Sequence, residues 1–187
     1  GRTRWIDVGY MNGEPFLLMV SSGIDALAVH NLDLRAKRLF GRIAYIASAV
    51  WSAFNFRVRR VWIRIPETGV RDHGYLLIIA NSRYYAGPYR IAENTRIDDG
   101  ILEVLLYKKR SILDTLLLMI GIMLGRHRYL RDVVFYRGKQ IEVESRRMQK
   151  MQMDGDKAPS APGRVWVRKR FLPVIVPARR AEGLIPR

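Results

Sequence analysis

The 187 residues carry 33 Lys and Arg against 17 Asp and Glu, a formal charge of +16, with a hydrophobic fraction of 49%. Such a chain is too apolar to be disordered, its length makes one domain the default, and its charge selects nucleic acid, anionic lipid or phosphorylated ligands as partners. The absence of Cys excludes disulfides, thiolate metal sites and a Cys nucleophile.

In chain order, Trp5 to Val20 holds two apolar runs around Asn12-Gly13, a hairpin signal. Leu34 to Phe54 repeats apolar residues at Leu39, Ile43, Ile46, Val50 and Phe54, a helical period, with Arg35, Lys37, Arg38 and Arg42 at its start. Cations there oppose the helix dipole and invite an anion, so these four residues are the expected membrane- or anion-binding set. Strands follow at Val58 to Ile65 and Tyr75 to Ala80, separated by the turn Pro66-Glu67-Thr68-Gly69, then at Ile101 to Tyr107. Ser111 to Leu124 reads as a helix with Ser111 as N-cap and Gly125 closing it. With Asp114 inside it, its apolar run falls short of the ~18 residues a membrane span needs.

Short strands are expected at Val133 to Tyr136, Gln140 to Glu144, Met148 to Met153, Arg164 to Val167 and Phe171 to Ile175. The segment Asp156 to Gly163, with Pro159 and Pro162, is expected to be a loop, and residues 178–187 a frayed Arg-rich tail. The expected fold is mostly β (α+β): a single two-layer antiparallel β-sandwich over residues 1–187 with two attached helices.

Zinc-finger spacing, RNP-like aromatic motifs and long Lys/Arg-only tracts are all missing, which leaves a membrane surface as a better partner than nucleic acid. The chain opens on Gly1-Arg2-Thr3-Arg4-Trp5, without a signal-peptide pattern, and is expected to be cut from a longer cytoplasmic protein, peripheral at the membrane. His30, His73 and His127 show no ligand spacing and receive no role. Tyr84, Tyr85, Trp51 and Trp62 could line an acyl site, although aromatics at such spacing more often build a core.

Four stretches carry a resemblance: Ser22-Gly23-Ile24-Asp25-Ala26; Arg42-Ile43-Ala44-Tyr45; Asn81-Ser82-Arg83-Tyr84-Tyr85-Ala86-Gly87 leading to Arg96-Ile97-Asp98-Asp99-Gly100-Ile101-Leu102; and Met153-Asp154-Gly155-Asp156. In order and spacing they resemble the C-terminal domain of the bacterial diacylglycerol kinase and lipid kinase family, related to sphingosine and ceramide kinases. The resemblance implies the lipid-side half of an ATP- and Mg²⁺-dependent kinase that phosphorylates a lipid hydroxyl to give a product such as phosphatidic acid. In that family a preceding nucleotide-binding domain with a Gly-Gly-Asp-Gly-Thr motif holds ATP. That motif and the Walker-type loop are missing here, so this chain alone is expected to transfer no phosphate.

Alone, Asp98-Asp99-Gly100 is an ordinary turn. By resemblance the loop holds Mg²⁺ through the Asp99 carboxylate and the carbonyls of Arg96 and Ile101, a hard-oxygen set. Asp154-Gly155-Asp156 reads locally as a hairpin tip. The family has Asp-Gly-Glu there, which implies Asp154 and Asp156 as candidates for accepting the proton of the lipid hydroxyl. Asp156 is one carbon–carbon bond shorter than the family's Glu, which motivates a rival reading as a non-catalytic lipid-surface module. The implied partners are a lipid substrate, an anionic membrane and the nucleotide-binding domain; a homodimer is admitted as well.

Overall fold

The computed structural model describes residues 1–23, 26, 29–30, 59–85, 88–92 and 94–177. The expected helix Leu34 to Phe54, with Arg35, Lys37, Arg38 and Arg42, and the expected tail 178–187 lie outside the described residues. Strands β1 (Arg2–Met11), β2 (Glu14–Phe16) and β3 (Met19–Ser22) precede β4 (Val61–Ile65), β5 (Val70–Gly74) and β6 (Leu76–Ala80). The short pair β7 (Tyr84–Tyr85) and β8 (Tyr89–Arg90) leads to β9 (Leu102–Tyr107), helix α1 (Ile112–Met123) and β10 (Val133–Gly138). The chain then adds β11 (Gln140–Glu144), β12 (Gln149–Met153), β13 (Asp156–Ala161) and β14 (Gly163–Val176).

Two six-stranded antiparallel sheets result, ordered β2-β1-β14-β11-β4-β5 and β10-β9-β6-β3-β12-β13. This is the expected sandwich, and side-chain alternation explains how it closes. In β4, Val61, Ile63 and Ile65 point into the inter-sheet core while Trp62 and Arg64 face outward. β6 is buried on both faces: Leu77 and Ile79 join the inter-sheet core, whereas Leu76, Ile78 and Ala80 meet a second core beneath α1. The unbroken apolar run Leu76-Leu77-Ile78-Ile79-Ala80 therefore marks a central strand.

The hairpin at Asn12-Gly13 forms as expected, with φ of 50° and 94° at its two turn residues. Its return run, however, is split between the sheets: β2 pairs with β1, and β3 crosses to the second sheet beside β6. The expected helix at Ser111 is present, with the Ser111 hydroxyl accepting the Leu113 N–H at 3.2 Å.

Two expectations are corrected. Arg164 to Val167 and Phe171 to Ile175 are one strand, β14; the gap between them is a bulge, since Ile6 pairs with Leu172 but Val8 with Arg168. The polar Arg168-Lys169-Arg170 interruption reflects that bulge rather than a chain break. Asp156 to Gly163 is likewise mostly an edge strand, β13, whose register slips around Pro159. Proline is tolerated there because an edge bulge requires no ladder N–H.

A polar staple ties the two sheets at one edge. Asp72 on β5 accepts from the Tyr136 hydroxyl of β10 at 2.6 Å, from its neighbour's main chain, His73 N–H, at 2.8 Å, and from the Lys108 ammonium. Burial works against the Asp72 carboxylate, yet the bonds from Lys108, Tyr136 and His73 outweigh it and hold its pKa below the ordinary value. Burial first, then the bond to Asp72, pushes the Tyr136 phenol up to about 12. The signs of linkage follow. Stabilisation from Asp72 is complete above the unfolded carboxylate pKa of about 3.9 and fades as pH falls through the lower folded value. Stabilisation from Tyr136 is complete below about 10 and is lost as pH rises towards 12. Urea midpoints of Asp72→Asn should lie below wild type at pH 7 and converge with it in acid. A gap that stays constant down to pH 2 would disprove the staple's contribution.

Candidate functional site

The hairpin joining β12 to β13 carries the acidic tip. Asp154 and Gly155 have φ of 52° and 93°, a two-residue turn that Gly and Asp accept at low strain. The Asp154 carboxylate does more than cap its own turn: Oδ2 accepts the Leu17 N–H at 2.7 Å, and Oδ1 accepts those of Leu18 and Met19 at 2.9 and 2.8 Å. The Asp154 N–H in turn donates to the Met19 carbonyl at 3.0 Å. Gln152 braces the tip from below, accepting the Gly155 N–H at 2.9 Å and donating to Ser21 Oγ at 2.6 Å. Asp156 opens β13 opposite Met153 and is exposed.

The second acidic element is the loop before β9. Asp98 accepts from Arg4 at 2.7 Å and Arg96 at 3.3 Å; burial opposes its charge, but the two guanidinium groups prevail and lower its pKa. Asp99 Oδ1 accepts the Ile101 N–H at 3.0 Å and Oδ2 accepts from Arg137 at 3.1 Å. Burial, with a further push from the Asp7 charge, raises the Asp99 pKa despite those bonds. Gly100 takes φ of 77°, a left-handed backbone that favours glycine, and its open side lies against the Lys169 side chain.

Two residues given no role from sequence join these elements. Asp7, fully buried in β1, accepts the Gly100 N–H through Oδ2 and the Arg170 N–H of the β14 bulge through Oδ1, both at 2.6 Å. Asn81, at the end of β6, donates its side-chain amide to the Asp7 carbonyl at 3.1 Å and the Leu17 carbonyl at 2.9 Å. One connected frame thus runs from Asp154 through the Leu17–Met19 main chain to Asn81, Asp7 and Gly100. A carboxylate in the otherwise apolar run Trp5-Ile6-Asp7-Val8 was the available sequence signal, because a buried charge persists only where partners meet it.

Asp99 offers one hard carboxylate donor, the ligand type a hard cation takes, and its two oxygens accept here from the Ile101 N–H and from Arg137. Among the described residues no group of three or more His, Cys, Asp or Glu side chains could hold a metal. His127 is buried, bonded to the Ile91 carbonyl at 3.0 Å and packed on Phe135. Tyr85 also belongs to the core beneath α1.

At the opposite end of β12, Arg59, Arg60, Arg110, Arg146 and Arg147 line a cleft of about 560 Å³ with Trp62 and Tyr75. Arg60 lies 5.9 Å from the Trp62 ring centre and 5.6 Å from that of Tyr75, and Arg146 lies 5.7 Å from Trp62.

Residues 18–176 match the sequence profile of the YegS C-terminal NAD kinase beta sandwich-like domain. The chain belongs to the YegS C-terminal domain family. A diacylglycerol kinase of Bacillus subtilis (strain 168) is 20% identical over 184 residues, 98% of this chain and 61% of that protein. A diacylglycerol kinase of Staphylococcus epidermidis (strain ATCC 35984) is 18% identical over 95% of this chain and 56% of its own length. The chain thus spans about three-fifths of the length of these curated relatives, each named a diacylglycerol kinase. A solved diacylglycerol kinase structure from Bacillus anthracis str. Sterne shares the fold with a TM-score of 0.61 at 15% identity, covering 95% of this chain and 56% of that one. Another structure from the same organism reaches a TM-score of 0.75 at 21% identity, covering 95% and 58%. Among the described residues of this YegS-type domain, no helix is long and apolar enough to cross a membrane.

Proposed function

We propose that this chain is the lipid-side domain of an ATP- and Mg²⁺-dependent kinase that phosphorylates a lipid hydroxyl, diacylglycerol-like, at an anionic membrane surface. The reading rests on one observation above others. The acidic hairpin tip and the Asp98-Asp99-Gly100 loop, far apart in sequence, are fastened to a single frame through Leu17–Met19, Asn81 and Asp7.

Within it, three of roughly four acceptor positions on Asp154 are taken by main-chain N–H groups. Asp154 then acts as the positioning residue, and the exposed Asp156 accepts the proton released as the hydroxyl oxygen attacks the terminal phosphorus and ADP departs. Asp99 would hold Mg²⁺ together with the carbonyls of Arg96 and Ile101; when bound, the ion would be structural, tying this loop towards the active site. ATP itself is held by a nucleotide-binding partner domain.

The test is phosphate transfer from labelled ATP to diacylglycerol, phosphatidylglycerol or a sphingoid base in mixed micelles by the intact protein. Transfer to none of them would sink the reading. The Asp at position 156, where the resembling family has Glu, favours a second one: a lipid-surface module that kept the fold and lost the chemistry. Asp156→Glu separates the two. A drop in activity shows that the shorter acid is the one in use, whereas a gain of about a hundredfold, the cost of ~1 Å of misplacement, marks a decayed site.

A further inference from the structure

α1 is apolar on two opposite sides. Successive residues turn 100° about a helix axis, which places Thr115, Leu118 and Ile122 on one side, and these are buried against the second sheet. Leu113, Leu116, Leu117, Ile120, Met123 and Leu124 fall on the other side and stand between 37% and 69% exposed. A helix that is hydrophobic all round belongs inside a core or inside lipid, yet half of this one lies at the surface. The only acid on it, Asp114, is half-buried. Exposed cations stand at both ends, Arg110 before the N-cap and Arg126 and Arg131 after the C-terminus, with Tyr129 85% exposed beside them, while Lys109 is paired with Asp132 at 3.8 Å.

We propose that the outward face of α1 is the surface by which this domain seats itself on an anionic bilayer, its leucines in the acyl boundary and its flanking cations on lipid phosphates. The charge pattern decides the occupant. A second copy packed on the same face by two-fold symmetry would bring Arg110, Arg126 and Arg131 against the same residues of its partner, on a chain already at +16. An anionic lipid surface meets both features at once: it takes up apolar side chains and attracts cations at their rim. The inference deepens the lipid-kinase reading, on which it rests for the choice of a bilayer. Its residues are other than the sequence-expected set Arg35, Lys37, Arg38 and Arg42, which lies outside the described residues.

Vesicle co-sedimentation decides it, on phosphatidylglycerol–phosphatidylcholine vesicles with the 187-residue chain and with the intact protein. Leu117→Gln/Ile120→Gln should weaken partitioning about tenfold or more at every salt concentration. Arg110→Gln/Arg126→Gln/Arg131→Gln should weaken it by about fivefold per cation at low salt and flatten the salt dependence. Both variants change exposed residues, and circular dichroism checks that they fold. Leu117→Trp should show emission quenched by brominated lipid beyond that of wild type. Wild-type binding that survives the leucine double variant, or that disappears only on neutralising Arg35, Lys37, Arg38 and Arg42, overturns the assignment. So does a concentration-dependent dimer that the leucine variant dissolves. An intact protein that docks through α1 yet phosphorylates no lipid supports this surface while refuting the kinase reading. Micellar activity without any vesicle binding does the reverse.

Discussion

Asp7→Ala should cost the domain about 3 kcal/mol, because it strands one buried and one part-buried main-chain donor at ~1–3 kcal/mol each and removes charge-assisted bonds as well. The donors are the N–H groups of Gly100, in a buried bond, and Arg170, in a part-buried one, both 2.6 Å from a carboxylate that is itself fully buried. Against a typical total of ~5–15 kcal/mol, such a loss is a large share. Asp7→Asn keeps the shape and one acceptor oxygen, and should cost about half as much. Urea unfolding reads both: the midpoint should fall while the denaturant slope stays constant. An alanine variant within ~1 kcal/mol of wild type would show that the β14 bulge and the Gly100 turn hold without Asp7.

Asp154→Ala should lower lipid phosphorylation by the intact protein about 100- to 1000-fold, the range expected when a reacting group is misplaced by ~1 Å or more. The same variant should also lose about 2 kcal/mol of stability, since the N–H groups of Leu17, Leu18 and Met19 lose their acceptor but can partly turn to water. Asp156→Ala should abolish activity to a similar extent with a much smaller change in midpoint, its side chain being exposed at the start of β13. The pairing of the two readouts distinguishes positioning from chemistry. If Asp154→Ala loses activity at unchanged stability, Asp154 itself handles the proton and the roles assigned above are reversed.

Much of the sandwich was legible because strand periodicity is local. Val61, Ile63 and Ile65 alternate with Trp62 and Arg64, and the run Leu76 to Ala80 is apolar throughout, so each strand announces whether one or both of its faces are buried. Asn12-Gly13 and Asp154-Gly155 announce turns for the same reason: the left-handed backbone they adopt is a property of those residues alone. The acidic tip and the Asp98-Asp99-Gly100 loop could therefore be picked out in the sequence, and the family resemblance named chemistry for them.

What joins them could not be read that way, because the decisive hydrogen bonds run between residues more than 60 positions apart. Asp7 in a strand looks like an interruption until the β14 bulge brings the Arg170 N–H onto one oxygen and the loop brings Gly100 onto the other. Local pattern took Arg168-Lys169-Arg170 for a break between strands, although the pairing with β1 resumes at Leu172. The outward leucines of α1 belong to the same class. Sequence determined that Ile112 to Leu124 is an apolar helix; only packing against the second sheet decided that Leu118 and Ile122 point inward and left Leu113, Leu117 and Ile120 at the surface, since one sheet can cover only one side of a helix.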